Sequence, residues 1–239
     1  MDFYQEEVEI SSTNIDLNLE CKLSELFLYF QDLAGKHSDI LGTGRKNTTE
    51  KGLIWVITRF DVEVTRMPRY GEKVIMTTYP GDSNVVFYHR HFYIEDEKGN
   101  VIVKANSLWT ILNKETHQLV KDAFGDKKLP KVHLDNELSS PQKIQIEEGE
   151  YSYSKIIRYS DIDLNAHLNN TRYIELIQDA FDLSFYKEKC LKKFSINYMQ
   201  EFKALDKVDI YVTKDNPYVI TGKKDDKIHF ISRTEFTNR

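Results

Sequence analysis

The sequence predicts an α+β protein built from two similar halves, and three observations lead there. Ile15-Asp16-Leu17-Asn18 recurs as Ile162-Asp163-Leu164-Asn165, and at the same offset of 147 residues Gln31-Asp32 recurs as Gln178-Asp179. Each copy leads into an apolar run of helical period: Leu23, Leu26, Phe27, Phe30 and Leu33 in one, Ile174, Leu176, Ile177 and Phe181 in the other. After each run the pattern changes to strand-like segments split by polar turns. Self-similarity at about half the chain length indicates two copies of one domain rather than a solenoid. A helix with a single apolar stripe needs a surface to bury it, and a curved antiparallel sheet supplies one.

The elements follow in order. Residues 22 to 41 read as a helix that stops near Gly42. Gly42-Thr43-Gly44-Arg45-Lys46 has the look of a phosphate loop, but it follows a helix instead of joining strand to helix. Strands are expected at Leu53 to Val64, Lys73 to Tyr79, Val85 to Glu95 and Val101 to Asn113, with Glu95 to Asn100 as a hairpin turn. Trp55 and Trp109 fall in apolar strands and are expected in the core. From 126 to 149 the chain turns charged and carries Pro130, Ser139-Ser140 and Pro141, which marks a linker. Domains are therefore expected at 1–125 and 150–239. The second half repeats the order: a strand at Tyr151 to Tyr159, a helix from Asn170 to Glu188, then strands at Phe194 to Phe202, Val208 to Lys214, Tyr218 to Gly222 and Lys227 to Phe236.

Composition narrows the function. The 239 residues are 40% hydrophobic and include 14 Tyr, 13 Phe and 2 Trp, enough for a sizeable core, while 10 Gly and 5 Pro argue against disorder. A formal charge of −5 speaks against a general nucleic-acid binder. Lys187, Lys189, Lys192 and Lys193 read as a solvated helix end. No apolar run approaches the roughly 20 residues that span a bilayer. The acidic start Met1 to Glu7 lacks a signal peptide's basic and apolar regions, so the cytoplasm is the expected compartment. Cys21 and Cys190 form no disulfide framework and no metal pattern. His89 and His91 share a strand face without a third ligand, so neither a metal nor a cofactor is expected.

The chemistry concentrates in Asp161-Ile162-Asp163-Leu164-Asn165-Ala166-His167-Leu168-Asn169-Asn170. Asp163, Asn165 and His167 fall at every second position, and in an extended segment all three would share a face. Asp163 suits a base or nucleophile, Asn165 an orienting group, and His167 a donor to developing charge. Asn170-Thr171 then opens a helix, whose free N–H groups and dipole favour an oxyanion, as in acyl transfer. The plainer reading is a turn and cap built from Asx residues. In the first copy His167 aligns with Glu20, which makes the second half the chemical one. In Phe194 to Phe202 the alternation puts Phe194, Ile196, Tyr198 and Phe202 on one face and Ser195, Asn197, Met199 and Glu201 on the other. A strand just after the motif helix would return Glu201 to Asp163, although a solvated strand glutamate has the same pattern.

These residues resemble the acyl-[acyl-carrier-protein] thioesterases over nearly the whole chain. The family motif Asp-x-Asn-x-His-Val-Asn-Asn stands here as Asp163 to Asn170, with Leu168 for Val. Leu53 to Arg59 and Ser107 to Lys114 are similar to family text in the first half. The resemblance implies a double hotdog fold and hydrolysis of the thioester between a fatty acyl chain and the carrier protein's phosphopantetheine. It implies Asp163, Asn165, His167 and Glu201 as catalytic residues and an acyl pocket mainly in the N-terminal half, in a monomer or homodimer. An alternative picture of the family places a cysteine nucleophile just after Glu201; here that residue is Phe202. Two readings compete: an acyl-coenzyme A thioesterase, and a non-catalytic acyl-thioester sensor that keeps the fold. A basic rim at the site would favour an acidic carrier protein.

Overall fold

The computed structural model describes residues 1–125, 129–130, 132 and 137–239. Its strands are β1 (Tyr4–Glu9), β2 (Leu53–Val64), β3 (Lys73–Ser83), β4 (Tyr88–Glu95), β5 (Val101–Asn113), β6 (Glu150–Ile156), β7 (Lys189–Tyr198), β8 (Lys207–Val212), β9 (Tyr218–Lys224) and β10 (Lys227–Asn238). They form one antiparallel sheet in the order β1-β3-β4-β5-β2-β7-β10-β9-β8-β6. Read inward from its two edges, each half runs first, third, fourth, fifth, second. That is a pseudo-twofold arrangement, the tandem hotdog that the resemblance implies. The halves join where β2 pairs with β7, Phe60 opposite Ile196 and Val62 opposite Phe194.

The helices are α1 (Leu23–Ile40), α2 (Arg45–Glu50), α3 (Asn170–Gln178) and α4 (Leu183–Glu188). α1 buries Leu26, Phe27, Phe30 and Leu33 on one side, the stripe its sequence spacing requires. Phe27 packs against Phe60 (centroids 4.5 Å apart) and edge-on to Phe194 (5.6 Å), so it bridges both sides of the seam. Phe30 meets Phe92 at 4.7 Å. One apolar cluster thus runs through α1, α3 and strands of both halves.

Several boundaries differ from the sequence expectation, each for a local reason. β1 was not expected; its side chains alternate half-buried and exposed, and three glutamates mask the pattern of an edge strand. α2 is six polar residues with no apolar period to reveal it. The helix expected over 170–188 breaks in two, because Asp182 accepts a hydrogen bond from the Phe185 N–H at 2.8 Å and caps a new start. The strand expected at 194–202 ends at Tyr198, and the N–H groups of Met199 and Gln200 both turn to the His229 carbonyl (2.9 and 3.0 Å). Glu201 therefore sits in a loop.

Of the expected linker 126–149, residues 126–128, 131 and 133–136 lie outside the described residues. Residues 137–149 have no regular structure, and side chains of the sheet hold them. Asn106 Nδ2 donates to the Leu138 and Ser139 carbonyls (3.1 and 3.0 Å), and Arg59 donates to the Pro141 carbonyl (3.1 Å). Asn197 donates to the Gln142 carbonyl and accepts from the Ile144 N–H (3.2 and 2.8 Å). Asn197, expected on an open polar face, is buried under this segment. No helix among the described residues is long and apolar enough to cross a membrane.

Candidate active site

The motif is a tight turn, not an extended strand. The Asp163 N–H donates to the His167 carbonyl (2.8 Å) and the Ala166 N–H to the Asp163 carbonyl (3.1 Å), while Ile162 bridges to Leu168. Ala166 closes the turn at φ +63°, a left-handed conformation that costs an L-residue roughly 1–2 kcal/mol. The Asp163 carboxylate compensates. Its Oδ1 accepts from the Asn165 N–H (2.8 Å) and the His167 N–H (3.2 Å), and its Oδ2 lies 3.4 Å from Asn165 Nδ2. The expected two-residue period thus does not hold. Asp163, Asn165 and His167 are gathered by a carboxylate-centred turn.

The same turn is built in the first half almost atom for atom. Asp16 Oδ1 accepts from the Asn18 N–H (2.8 Å) and the Glu20 N–H (3.1 Å), and Leu19 closes the turn at φ +60°. The Leu168 N–H reaches the Phe202 carbonyl at 2.8 Å, and the Cys21 N–H reaches the Pro68 carbonyl at 2.8 Å. His167 bridges to Lys203 as Glu20 bridges to Arg69. Met67 therefore occupies the place of Glu201. The Asp-x-Asn turn is a shared building element, and the second half differs by an imidazole and a carboxylate.

Those two groups meet. His167 Nε2 lies 3.1 Å from Glu201 Oε2, with the Glu201 side chain 45% exposed and so open to water. In the first half Glu20 is instead paired with Arg239 (2.8 Å) and lies 3.8 Å from Arg69. The neighbouring Phe202 is fully buried and stacks on the His229 ring at 4.3 Å. Glu201 and Phe202 do part to outside and inside, though by a loop and not by strand alternation. Cys21 is buried among apolar groups, which pushes its thiol up to about 12, far from a nucleophile's range.

The start of α3 completes the arrangement. Asn169 is its N-cap, accepting from the Thr171 N–H at 3.0 Å. The Asn169 N–H donates to the Asp161 carbonyl (2.9 Å). The Asn170 N–H between them has no partner among the described residues and remains available to an oxyanion. Tyr173, one turn on, is buried under the site and accepts from the Phe202 N–H at 3.4 Å. Burial raises its phenol well above the ordinary value.

A cavity of about 400 Å³ opens from this point into the first half. Asp163, Asn165, Asn169 and Asn170 line one part of it, and residues of α1, α2, β2, β4 and β5 line most of the rest. His167 and Glu201 lie beside the cavity and are not among its lining residues. Trp55 and Trp109, expected in the core, are half-buried in its wall, their rings edge to face at 6.4 Å. The Trp55 indole donates to the Thr43 carbonyl (2.8 Å), fixing the loop before α2. Amphipathic rings in apolar strands give no sequence signal that separates core from cavity wall. Arg90, which also lines the cavity, does carry a signal in the sequence: a charge inside an apolar strand, between two histidines. Among the described residues no group of three or more His, Cys, Asp or Glu could hold a metal ion.

Comparison with known proteins bears on the family and the fold. Residues 1–123 match the model of the acyl-ACP thioesterase N-terminal domain, and residues 142–236 match that of its C-terminal domain. The chain belongs to the acyl-ACP thioesterase family. A chloroplastic palmitoyl-acyl carrier protein thioesterase of Arabidopsis thaliana is 28% identical over 213 residues, 83% of this chain and 52% of that protein. A chloroplastic dodecanoyl-[acyl-carrier-protein] hydrolase of Cinnamomum camphora is 29% identical over 188 residues, 72% of this chain and 49% of its own length. The chain spans about half the length of the curated relatives it matches. The crystal structure of an acyl-ACP thioesterase from Bacteroides thetaiotaomicron superimposes with a TM-score of 0.92 at 24% identity, covering 99% of this chain and 98% of that one. The 12:0-ACP thioesterase of Umbellularia californica gives 0.83 at 20% identity, with 99% and 98% covered. At these identities the structural likeness speaks for the fold.

Proposed function

We propose that this protein hydrolyses fatty acyl-[acyl-carrier-protein] to free fatty acid and carrier protein, as a step of fatty acid synthesis. The observation that carries the reading is the 3.1 Å contact between His167 and Glu201 beside the Asp163 turn, at the end of a cavity large enough for an acyl chain. In this reading residues 1–125 hold the acyl chain, 126–149 connect, and 150–239 carry the chemistry.

The placement of the groups supports the following mechanism. The thioester lies at the start of α3, with its carbonyl oxygen toward the Asn170 N–H. Glu201, with Asp163 nearby to orient the water, takes a proton as the water oxygen attacks the carbonyl carbon. His167 holds the Glu201 carboxylate and, when protonated, sets a positive charge beside the developing oxyanion. Asn165 keeps the Asp163 turn in shape. Collapse of the tetrahedral intermediate re-forms the carbonyl and breaks the carbon–sulfur bond, and the proton passes from Glu201 to the departing thiolate. A thiol is not the nucleophile, since Phe202 stands where it would be required; in this reading water attacks, and a carboxylate attacking directly through an anhydride is the alternative.

The charge at the cavity suits an anionic carrier, and the acidic carrier protein is one. Arg45 and Lys114 line the cavity, both exposed, with no ion-pair partner among the described residues. They present a basic rim to an acidic partner. The test is release of free fatty acid from matched acyl-carrier-protein and acyl-coenzyme A thioesters. Higher kcat/KM on the carrier protein is expected. Equal or better turnover of the coenzyme A thioester would reassign the carrier, and binding without release would make the protein a sensor.

A further inference from the structure

Arg90 on β4 is a buried cation without a counter-ion among the described residues. It is 9% exposed, and burial alone pulls its guanidinium down to about 10. Its partners are all neutral. Nη1 donates to Thr78 Oγ1 (3.3 Å) and to His37 Nδ1 (3.1 Å), and Nη2 donates to Ser38 Oγ (3.1 Å). His37 cannot share the charge, because burial, and secondly Arg90 itself, lower its pKa to about 4. These three bonds leave two of the five guanidinium N–H donors unused. A buried charge in this state is costly unless something else meets it, and Arg90 and Ser38 both line the 400 Å³ cavity.

The position of Arg90 within that cavity is set by α1. Gln31, Ala34, Gly35 and Ser38 line the cavity at i, i+3, i+4 and i+7, a stripe of about 10 Å along the helix axis. Gln31 marks the catalytic end: its repeat equivalent Gln178 accepts from the Ser24 N–H at the start of α1 (3.2 Å), and Ser24 is the equivalent of Thr171 at the start of α3. Arg90, bonded to Ser38, stands at the other end of the stripe. An acyl chain seated with its thioester at α3 would bring its remote end to a guanidinium with free donors.

We infer that Arg90 makes this cavity selective for acyl chains that carry an acceptor oxygen, a hydroxyl or a carboxylate, at the end remote from the thioester; this rests on the thioesterase reading above. A methyl end would seal the cation from water and return nothing. An oxygen there would accept the spare N–H groups. The competing role is a clamp, in which Arg90 only ties β4 to the last turn of α1, where the helix dipole favours a cation.

The test compares equal-length acyl-carrier-protein thioesters ending in methyl, hydroxyl or carboxylate, with the parent, Arg90→Gln and Arg90→Met, each checked for folding by thermal melting. The parent should favour the oxygen-bearing chains by about 10–100-fold in kcat/KM, as befits a hydrogen bond to a charged group. Arg90→Gln should lose the preference for carboxylate, and Arg90→Met should favour the methyl end. Calorimetric binding of the corresponding free acids gives the same comparison without turnover. If the parent hydrolyses none of the three, the thioesterase reading fails and the binding series still decides the role of Arg90. Equal affinity and equal kcat/KM for all three ends in the parent, or a uniform drop in folded Arg90→Gln, would overturn the proposal in favour of the clamp.

Discussion

Asp163 and Asp16 make the same hydrogen bonds in the two halves, and the comparison separates structure from chemistry at single residues. Each carboxylate accepts two backbone N–H bonds within its own turn. Asp16→Asn and Asp163→Asn should therefore each lower stability by about 1.5–3 kcal/mol, the range for hydrogen bonds to a charged group. Only Asp163→Asn should slow single-turnover hydrolysis; Asp16→Asn should leave the chemical step at the parent rate. Equal losses of rate would reduce the Asp163 carboxylate to a turn brace. A second carboxylate makes a prediction for pH. Burial raises Asp61 to about 6, with a hydrogen bond from Ser195 and the charge of Arg59 acting in the opposite sense, and its Oδ1 has no partner. Its folded pKa exceeds the unfolded value near 4, so the unfolded chain ionises first and stability drains away as pH rises from about 4 to about 6. Asp61→Asn should then be more stable than the parent by about 1–2 kcal/mol at neutral pH, after allowance for partial exposure. Urea melts should show that advantage disappearing below about pH 4.

Elements with a strong apolar period were legible; those defined by one polar contact were not. α1, β2 and β5 lie within a residue of expectation because Leu26, Phe27, Phe30 and their strand partners declare a buried face. The break between α3 and α4 depends on one cap, Asp182, inside a run that otherwise reads as helix. The end of β7 depends on two N–H groups sharing the His229 carbonyl, a tertiary contact that no local pattern carries. The candidate site divides in the same way. The residues proposed for it come from the sequence, but their geometry was not legible there, since alternation suggested an extended segment where a carboxylate-centred turn exists. α1 also shows how an element joins the halves. Phe27 touches Phe60 on β2 and Phe194 on β7, so Phe27→Ala should destabilise the molecule by about 3–5 kcal/mol. Thermal unfolding should remain a single transition. Two separated transitions would show that the halves fold independently of this contact.

At the scale of the whole molecule, one duplicated architecture has two fates. Both halves keep the strand order, the helix and the Asp-x-Asn turn. In the first, Glu20 is spent on Arg239 and Met67 faces it, and the matching pocket is small, about 50 Å³, and crowded by aromatic rings such as Phe181 and Tyr186. In the second, His167 meets Glu201 beside a cavity lined mainly by the first half. The account needs both carboxylates to act on one water, so the Asp163→Asn, Glu201→Gln double variant should lose little more than the poorer single variant. Its central claim concerns Glu201, which is exposed in a loop and whose side-chain carboxylate pairs only with His167 among the described residues. Single-turnover hydrolysis of a fatty acyl-[acyl-carrier-protein] thioester by folded Glu201→Gln tests it most directly. The account predicts a loss of about 10²–10⁴-fold with acyl-thioester binding retained, as removal of a general base should give. A Glu201→Gln protein that hydrolyses at the parent rate would contradict it.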